Sequence, residues 1–282
     1  MENLGYYDGK YDLIENMVVP FDDRAHYYGD GVYDATCAGN HIIFNLDEHI
    51  DRFYNSAGLL QIKIPHTKEE LKSILNEMVS KVDGNQLFVY WQVTRAVAPR
   101  KHVFPEGKAK LWIMIRPSQL GDPNKLLKLI TVEDTRFLHC NIKTLNLIPN
   151  VMASQKGELA GCDEIVFHRG ERVTECSHSN ISIMKDGKLI THPTDHYILP
   201  GIARAHIIKM CRKLEIPVDE TPFTVKEMME ADEVIVSSSS NFCLSAYEID
   251  RQKVGGKAPE LLHKLQEALM DEYLAATKQR EA

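Results

Sequence analysis

No two cysteines in this 282-residue chain have the two-residue spacing of a CxxC pair, although six are present, at positions 37, 140, 162, 176, 211 and 243. A zinc site or other metal centre and a disulfide framework are therefore not indicated, and reduced, mostly buried thiols are expected. The chain also lacks a basic block, because 33 lysines and arginines stand against 40 aspartates and glutamates, a net charge of -7. This balance argues against nucleic acid as the main partner.

Long apolar runs are missing as well. No stretch approaches the roughly 20 residues of a membrane-spanning helix, and residues 1–5 lack the basic and apolar segments of a signal peptide. We therefore expect a cytoplasmic protein without a membrane partner. With 44% hydrophobic and 26% charged residues, the composition is that of a soluble globular protein with one large domain or two ordinary ones.

Helical spacing dominates two segments in the first half of the chain. Ile50 and Phe53 belong to an apolar stripe that predicts a helix after Asn45, the candidate N-cap. A second helix is predicted to start at Thr67, where Glu70 completes a capping box. Both helices are expected to pack an apolar face against a core.

Strand patterns and breaker residues suggest how the chain divides. The almost wholly apolar segment 87–97 predicts a central strand, and residues 163–192 predict a meander of short strands. Between them, residues 119–124 hold the glycine and proline that are typical of a linker. We predict a mixed α+β and α/β fold with two domains, a smaller N-terminal α/β domain at 1–118 and a larger β-rich C-terminal domain with flanking helices at 125–282.

One lysine near the middle of the chain could carry chemistry. A predicted strand from Leu127 to about Arg136 leads to the segment 140–148, which places Lys143 among apolar and small polar residues. A desolvated amine is a nucleophile that can form a Schiff base with a carbonyl group. The segment is weak evidence by itself, because most lysines beside apolar residues bury only the stem and keep the amine in water. The decision rests on whether other segments supply partners for a Schiff base.

Four segments could bind pyridoxal phosphate, the cofactor whose chemistry needs such a lysine. It requires a charged partner for its pyridine nitrogen, a phosphate site and a grip on the substrate. Residues 201–203 open a predicted helix, whose free N–H groups would suit a phosphate, and the hydroxyls of residues 238–240 add donors. Arg52 could bind the phosphate, and Glu175 could keep the ring nitrogen protonated. The ordinary alternatives are a surface ion pair, a strand-end carboxylate and a polar loop.

These residues carry a resemblance to a known family. The chain is similar throughout to the class IV, or fold-type IV, pyridoxal phosphate aminotransferases, and most closely to bacterial D-amino acid aminotransferases. The motifs that carry the resemblance are Tyr28–Tyr33 (YGDGVY), Glu48–Arg52 (EHIDR), Ile142–Asn146 (IKTLN), Val173–Asn180 (VTECSHSN) and Gly201–Arg204 (GIAR). The lysine and glutamate motifs, in this order and about thirty residues apart, are specific to the class.

The resemblance implies a role for each of these residues. Lys143 would be the Schiff-base lysine and would carry a proton between the substrate Cα and the cofactor C4′, and Glu175 would pair with the pyridine nitrogen. The phosphate ligands that it implies, partly through backbone N–H groups, are Arg52, Ile202, Ala203, Ser238 and Ser239. The family is at least homodimeric, with each active site at the domain cleft and completed by the neighbouring chain.

The subfamily is indicated by the residues that would bind the substrate carboxylate. In D-amino acid aminotransferases a tyrosine works with an Arg-x-His pair from the other subunit, and here Tyr33, Arg100 and His102 match them; Tyr90 matches another pocket residue. The expected reaction is a ping-pong transamination of D-amino acids, for example D-alanine and 2-oxoglutarate giving pyruvate and D-glutamate. The alternatives are an aminodeoxychorismate lyase, a branched-chain L-amino acid aminotransferase and, more remotely, a non-catalytic protein that binds the cofactor.

Three positions depart from the family pattern. His139 stands where the comparison enzyme has arginine, Cys176 replaces a glycine, and Ala203 replaces a threonine in the phosphate turn. A loss of permanent charge at His139 would alter cofactor affinity or the pH profile. A missing threonine side chain at Ala203 would weaken the phosphate site.

Overall fold

The computed structural model describes residues 1–278 and divides them into two compact units. The first contains residues 1–120, the short segment 142–146 and residues 273–278, and the second contains residues 121–141 and 147–272. The chain leaves the first unit inside the segment that we predicted as a linker. It differs from a division into two continuous stretches, because the lysine segment and the end of the last helix return to the first unit.

A six-stranded antiparallel sheet and two long helices form the first unit. The strand order β2-β1-β6-β5-β3-β4 places β5 inside the sheet. A 3-10 turn at Ile14–Asn16 follows β2. The elements are β1 (Leu4–Tyr7), β2 (Lys10–Asp12), α1 (Arg24–Tyr28), β3 (Gly31–Gly39), β4 (Ile42–Ile43), α2 (Leu46–Leu59), α3 (Lys68–Ser80), β5 (Gln86–Thr94) and β6 (Lys110–Pro117).

Strand β5 confirms the predicted central strand and separates two faces of the sheet. Leu87, Val89, Trp91 and Val93 are fully buried and belong to the same core as the apolar faces of α2 and α3. Since successive side chains of a strand point to opposite faces, the residues between them, among them Tyr90, lie on the other face and are only partly buried. That second face is the one that carries candidate functional residues.

The two long helices begin where the sequence predicts, but only one is capped as predicted. Thr67 accepts from the backbone N–H of Glu70, and the Glu70 carboxylate accepts from that of Thr67, which confirms the capping box. Asn45 does precede α2, but its backbone is left-handed (φ 52°) and its side chain makes no cap hydrogen bond. An N-cap side chain reaches the first turn from an extended backbone, so Asn45 serves the turn and not the cap.

A nine-stranded mixed sheet forms the second unit, with strand order β12-β11-β10-β13-β14-β7-β8-β9 and β15 on β14. The predicted meander is confirmed as β8 to β11, whereas the strand predicted to reach Arg136 is too long, because β7 ends at Glu133. The elements are β7 (Leu126–Glu133), α4 (Ile148–Leu159), β8 (Glu164–Arg169), β9 (Arg172–Cys176), β10 (Asn180–Lys185), β11 (Lys188–Thr191), α5 (Ile202–Lys213), β12 (Val218–Asp219), α6 (Val225–Glu230), β13 (Glu233–Ser237), β14 (Leu244–Ile249), β15 (Gln252–Lys253) and α7 (Pro259–Ala276).

Helix α7 confirms its predicted apolar stripe. Leu265 and Tyr273 are fully buried and Leu269 nearly so. Within residues 1–278, no helix combines the length and the apolar character that a membrane crossing requires. Helices and strands occur in both units, which confirms the predicted mixed fold class.

Candidate active site

The segment that carries Lys143 is attached to the start of β3 through its main chain. Tyr33 N donates to Lys143 O at 2.9 Å, and Leu145 N donates to Gly31 O at 3.1 Å. On the other side of the lysine backbone, Lys143 N donates to Ser56 Oγ at 3.2 Å. Since these bonds involve backbone atoms of the lysine, its position does not depend on the side chain.

The Lys143 amine lies over the ring of Tyr33, with Nζ 4.4 Å from the ring centroid. Tyr33 stacks on Tyr90, with centroids 5.3 Å apart and planes inclined by 19°. The register explains this contact: Tyr33 pairs with Gln92 and Ala35 with Tyr90, so the two tyrosines are diagonal neighbours on one face. The structure therefore brings together three of the predicted residues, and we call Lys143, Tyr33 and Tyr90 the lysine group.

Arg52 is buried in an ion pair, not at the surface. Its Nε and Nη2 donate to Asp34 Oδ2 and Oδ1 at 2.9 and 2.6 Å, and His49 Nδ1 lies 2.7 Å from Asp34 Oδ1. Asp34 follows Tyr33 in β3, so its side chain points to the helix-covered face, where α2 supplies Arg52 and His49. The fork of the guanidinium is thus oriented by Asp34, and its contact with a phosphate stays a prediction.

The charges of this buried cluster shift each other's pKa values. Burial alone would raise the pKa of Asp34, but Arg52 and His49 more than offset this effect and hold it well below its usual range. Burial lowers the pKa of His49, Asp34 opposes the shift, and the positive charges of Arg52 and Lys143 add to it. The cluster therefore holds a carboxylate against a guanidinium with a histidine whose neutral form is favoured.

Replacing Asp34 by asparagine should lower the free energy of unfolding at pH 7 by about 3 kcal/mol, because Arg52 would keep a buried charge without its counter-ion. The pKa of Asp34 is lower in the folded state than in the unfolded state, where it is about 3.9. Its stabilisation is then complete above that value and is lost as the pH falls through the folded-state pKa. Denaturant unfolding at pH 7, 5 and 3 should show a difference from wild type that shrinks at pH 3.

The matched control is Asp51→Asn, which removes an exposed partner of Lys68 on the same helix. This variant should change stability by less than about 1 kcal/mol at every pH, since exposed ion pairs contribute little. Equal stability of Asp34→Asn and wild type at pH 7 would contradict the expectation.

Glu175 is the centre of a second cluster, in the second unit. It lies near the end of β9 and is only 5% exposed. Its Oε1 accepts from Arg136, while Oε2 accepts from Asn180 Nδ2 at 2.9 Å and from Leu199 N at 3.0 Å. Three donors, one of them a full positive charge, fix the carboxylate. We call Glu175, Arg136 and Asn180 the glutamate group.

Sequence reasoning missed Arg136, the ion-pair partner of Glu175. Asp134 Oδ1 and Oδ2 accept from Arg136 Nε at 3.0 Å and Nη2 at 2.9 Å, and the guanidinium lies 4.5 Å from the ring centroid of Phe167. Burial would raise the pKa of Asp134, but the hydrogen bonds and charge of Arg136, together with Arg169, hold it below its ordinary value. The available signal was an acid and an arginine two residues apart, just after a strand.

The start of α5 forms a close cradle at one edge of the second sheet. Gly201 is the N-cap and no side chain caps the helix there, so the backbone N–H groups of Ile202 and Ala203 lie in an uncapped first turn. A Cβ at Gly201 would overlap Asn180 Oδ1, hence only glycine allows this approach. The cradle is thus next to the glutamate group.

The serine loop lies at the same edge. Asn180, the first residue of β10, pairs with Ser237, the last of β13, so the loop that follows β13 begins beside the α5 cradle. Ser237 Oγ is buried without a hydrogen-bond partner among residues 1–278, and Ser238 Oγ lies 3.3 Å from Ser240 Oγ. Hydroxyls and a helix N-terminus at one edge fit a phosphate. The predicted ligands Ile202, Ala203, Ser238 and Ser239 are therefore close to Glu175 in the fold of this unit.

The predicted carboxylate pair lies in the first unit, on an exposed loop. Arg100 and His102 both pack on Tyr28: the Arg100 guanidinium is 5.4 Å from its ring centroid, and the His102 ring centroid is 5.3 Å away. Of the three departures, His139 is exposed and Cys176 is 1% exposed. Burial raises the pKa of the Cys176 thiol well above its usual value, so this cysteine fills the core and does not react.

Residues 31–249 match the family described as amino-transferase class IV. The chain belongs to this family. It is 40% identical to a D-alanine aminotransferase of Listeria monocytogenes serotype 4b (strain F2365) over 269 residues, which cover 93% of each protein. It is 35% identical to a D-alanine aminotransferase of Bacillus licheniformis over 277 residues, which cover 96% of this chain and 97% of the relative.

Solved structures confirm the fold of this class IV aminotransferase. The branched-chain amino acid aminotransferase of Escherichia coli superposes with a TM-score of 0.89 at 20% identity, covering 99% of this chain and 97% of the other. A second branched-chain amino acid aminotransferase, from T.th. and solved with pyridoxamine 5'-phosphate, gives 0.87 at 24% identity and 96% coverage of both chains. At this identity the likeness establishes fold-type IV alone. The family makes this chain a pyridoxal phosphate-dependent transaminase, in agreement with the predicted enzyme class and cofactor.

Proposed function

We propose that this class IV aminotransferase transfers amino groups between D-amino acids and 2-oxo acids by a ping-pong mechanism. D-Alanine and 2-oxoglutarate would give pyruvate and D-glutamate. The observation that carries the proposal is the 35–40% identity, over more than nine tenths of the chain, to proteins named D-alanine aminotransferase. The arrangement of Arg100 and His102 side by side on one exposed loop supports it.

The cofactor would be held by groups of both units. Pyridoxal phosphate supplies the electron sink that stabilises negative charge at the substrate Cα. Glu175, fixed by Arg136 and Asn180, would place its carboxylate at the pyridine nitrogen and favour its protonated form. The proposed phosphate ligands are the α5 backbone N–H groups and nearby polar side chains, namely Ile202, Ala203, Ser238, Ser239 and Arg52.

Lys143 would do the proton transfer. Its amine binds the cofactor covalently in the resting enzyme, and once displaced by the substrate it takes the proton from the substrate Cα and delivers it to the cofactor C4′. Tyr33 lies beneath the amine, 4.4 Å away, and limits the directions in which the side chain can swing. A base that is fixed on one face of the substrate removes a proton from one enantiomer only, so its placement accounts for stereospecificity.

The substrate carboxylate would be bound by Tyr33 together with Arg100 and His102 of a neighbouring chain in a homodimer. An arginine presents a planar fork that matches a carboxylate, and histidine and tyrosine add single donors. Tyr90, stacked on Tyr33, would line the same pocket. Burial raises the pKa of Tyr90, so its hydroxyl stays neutral and can donate, as it does to Gln92 Oε1 at 2.9 Å.

Adding D-alanine to the enzyme without a 2-oxo acid should change the visible absorption of the bound cofactor and release pyruvate, up to one equivalent per active site. L-Alanine and L-leucine should do neither, because the proton at Cα then points away from Lys143. Stopped-flow absorbance and pyruvate quantification test both points. A response to L-leucine alone would favour a branched-chain enzyme, and formation of pyruvate and 4-aminobenzoate from aminodeoxychorismate would favour a lyase. No response to any amino acid would favour a non-catalytic protein that binds the cofactor.

We further propose that the enzyme works in the cytoplasm. All six cysteines lie in the part of the chain that the structure describes, and they are free thiols there, five of them buried. Free thiols are typical of a reducing compartment. Fractionation of cells that express a tagged enzyme would test the location.

A further inference from the structure

The loop of residues 98–105, called here the carboxylate loop, is exposed along most of its length. It carries Arg100 and His102, the proposed ligands of the substrate carboxylate. An exposed loop is ordinarily mobile, and two binding residues on a mobile loop would lose much of their affinity to the cost of ordering it. Something in the fold must therefore hold this loop if it is to bind a small carboxylate.

Arg24 ties the middle of the carboxylate loop to the rest of the unit. Its side chain is 3% exposed, its Nη1 donates to the backbone oxygen of Lys101 at 2.6 Å, and its Nε donates to Asp30 Oδ2 at 2.7 Å. Lys101 stands between Arg100 and His102, so the anchored carbonyl belongs to the peptide that joins the two ligands. A buried guanidinium that bridges a carboxylate and a carbonyl is a directional and rigid contact.

Arg95 holds the end of the same loop. Its guanidinium carbon lies 3.7 Å from the ring centroid of Phe104, and its Nε donates to both oxygens of Asp30 at 3.0 Å. Its Nη2 also donates to the carbonyl of Leu60, which connects it to the end of α2. The two arginines thus share one carboxylate, that of Asp30, whose side chain is 12% exposed.

The shared carboxylate also connects the loop with the lysine group. Asp30 immediately precedes Gly31, where β3 begins and where the main chain of Leu145 is bonded. A Cβ at Gly31 would lie 2.5 Å from the carbonyl oxygen of Val93, which fixes this backbone against β5. A change at Asp30 would therefore loosen the carboxylate loop from a segment that itself stays in place.

We propose that Asp30, with Arg24 and Arg95, forms a clamp that positions Arg100 and His102 for the substrate carboxylate. The three are positioning residues, because they act on the substrate only through the loop. The proposal rests on the proposed function, in which this loop binds the carboxylate. The clamp favours a single loop conformation in the free enzyme, so that substrate binding does not have to order the loop.

Asp30→Asn keeps the size of the side chain and removes the charge that both arginines share. With the cofactor-loaded enzyme, the KM for D-alanine should rise about tenfold while kcat stays within about twofold, the pattern expected for lost binding that is uniform in ground and transition states. The matched control is Asp8→Asn, which removes the exposed partner of Lys110 in the same unit and should leave both constants unchanged. A fall in kcat without a change in KM would overturn the proposal.

Trypsin tests the clamp without any turnover, since Arg100 and Lys101 are both cleavage sites in the loop. Cleavage at these sites reports the population of open loop, and it should be at least about fivefold faster in Asp30→Asn than in wild type or Asp8→Asn. If D-amino acids are not turned over but this cleavage accelerates, the proposed function fails and the clamp stands. Unchanged cleavage with active wild type would overturn the clamp alone.

Arg24→Lys is the second variant, for the case that Asp30→Asn does not fold. A lysine keeps the charge but lacks the planar fork that bridges Asp30 and the Lys101 carbonyl. It should raise KM and the cleavage rate in the same direction as Asp30→Asn. Wild-type values of both in a folded Arg24→Lys enzyme would count against the clamp.

Discussion

Lys143→Ala should lower kcat for D-alanine transamination by about ten-thousand-fold, because one side chain supplies both the covalent attachment and the proton transfer. The loss should be chemical and not structural. Lys143 is held in place by backbone bonds with Tyr33 and Ser56, and these bonds remain in an alanine variant. Steady-state kinetics on the folded, purified variant, with thermal unfolding to confirm that the fold is retained, measure the effect.

The attachment can be detected independently of turnover. Borohydride reduction of the wild-type enzyme should fix the cofactor to the peptide that contains Lys143, as mass spectrometry of a digest would show, and the alanine variant should carry no such label. Lys156→Ala, which changes an exposed lysine of α4, is the matched control and should keep both label and activity. A label on another lysine, or substantial turnover by Lys143→Ala, would reject the assignment.

Local patterns were sufficient for elements whose burial is periodic. The α2 stripe of Ile50 and Phe53 and the alternation of β5 follow from contacts within one helix or between adjacent strands, which sequence spacing encodes directly. Arg52 lies on the same helix, yet its surroundings were not readable. Its partner Asp34 is in β3, and only the packing of α2 on the sheet makes this pair buried.

The lysine group shows the same limit at longer range. The segment 142–146 follows the start of the second unit along the chain, but Thr144 bridges Val32 and the segment belongs to the first unit. No periodicity in nine residues predicts a partner more than a hundred positions away. Resemblance to a family identified Lys143 because family motifs record the outcome of such pairing, whereas composition and spacing do not.

Arg136 was missed for a different reason. The apolar strand pattern continues toward it, so it was counted as the end of a strand, although β7 stops at Glu133 and the chain then turns. Only beyond that turn can its side chain reach both Asp134 and Glu175. The role of an arginine next to a strand end depends on a boundary, and boundaries are the least certain part of a prediction from sequence.

Glu175→Gln should lower kcat/KM for D-alanine by about 10²–10³-fold, the usual loss when a charge that stabilises a transition state is removed. The neutral amide can no longer favour a protonated pyridine nitrogen, so negative charge at the substrate Cα would be less well stabilised. The amide NH2 would also face either Arg136 or the Asn180 and Leu199 donors, where a carboxylate oxygen now accepts. A donor left unpaired in this buried place costs about 1–3 kcal/mol of stability.

The two effects of Glu175→Gln can be separated, and their separation decides what the glutamate group does. Glu171→Gln, an exposed change on the turn before the same strand, controls for the loss of charge and should be indistinguishable from wild type. Arg136→Met removes the ion-pair partner but leaves the Glu175 carboxylate, so it should lower stability more than Glu175→Gln because Asp134 and Glu175 both lose a buried counter-ion. If instead the activity of the folded, cofactor-bound fraction falls equally in both variants, position rather than charge is what Glu175 supplies. A fall confined to Glu175→Gln would mean that its charge acts on the cofactor directly, with Arg136 serving the fold.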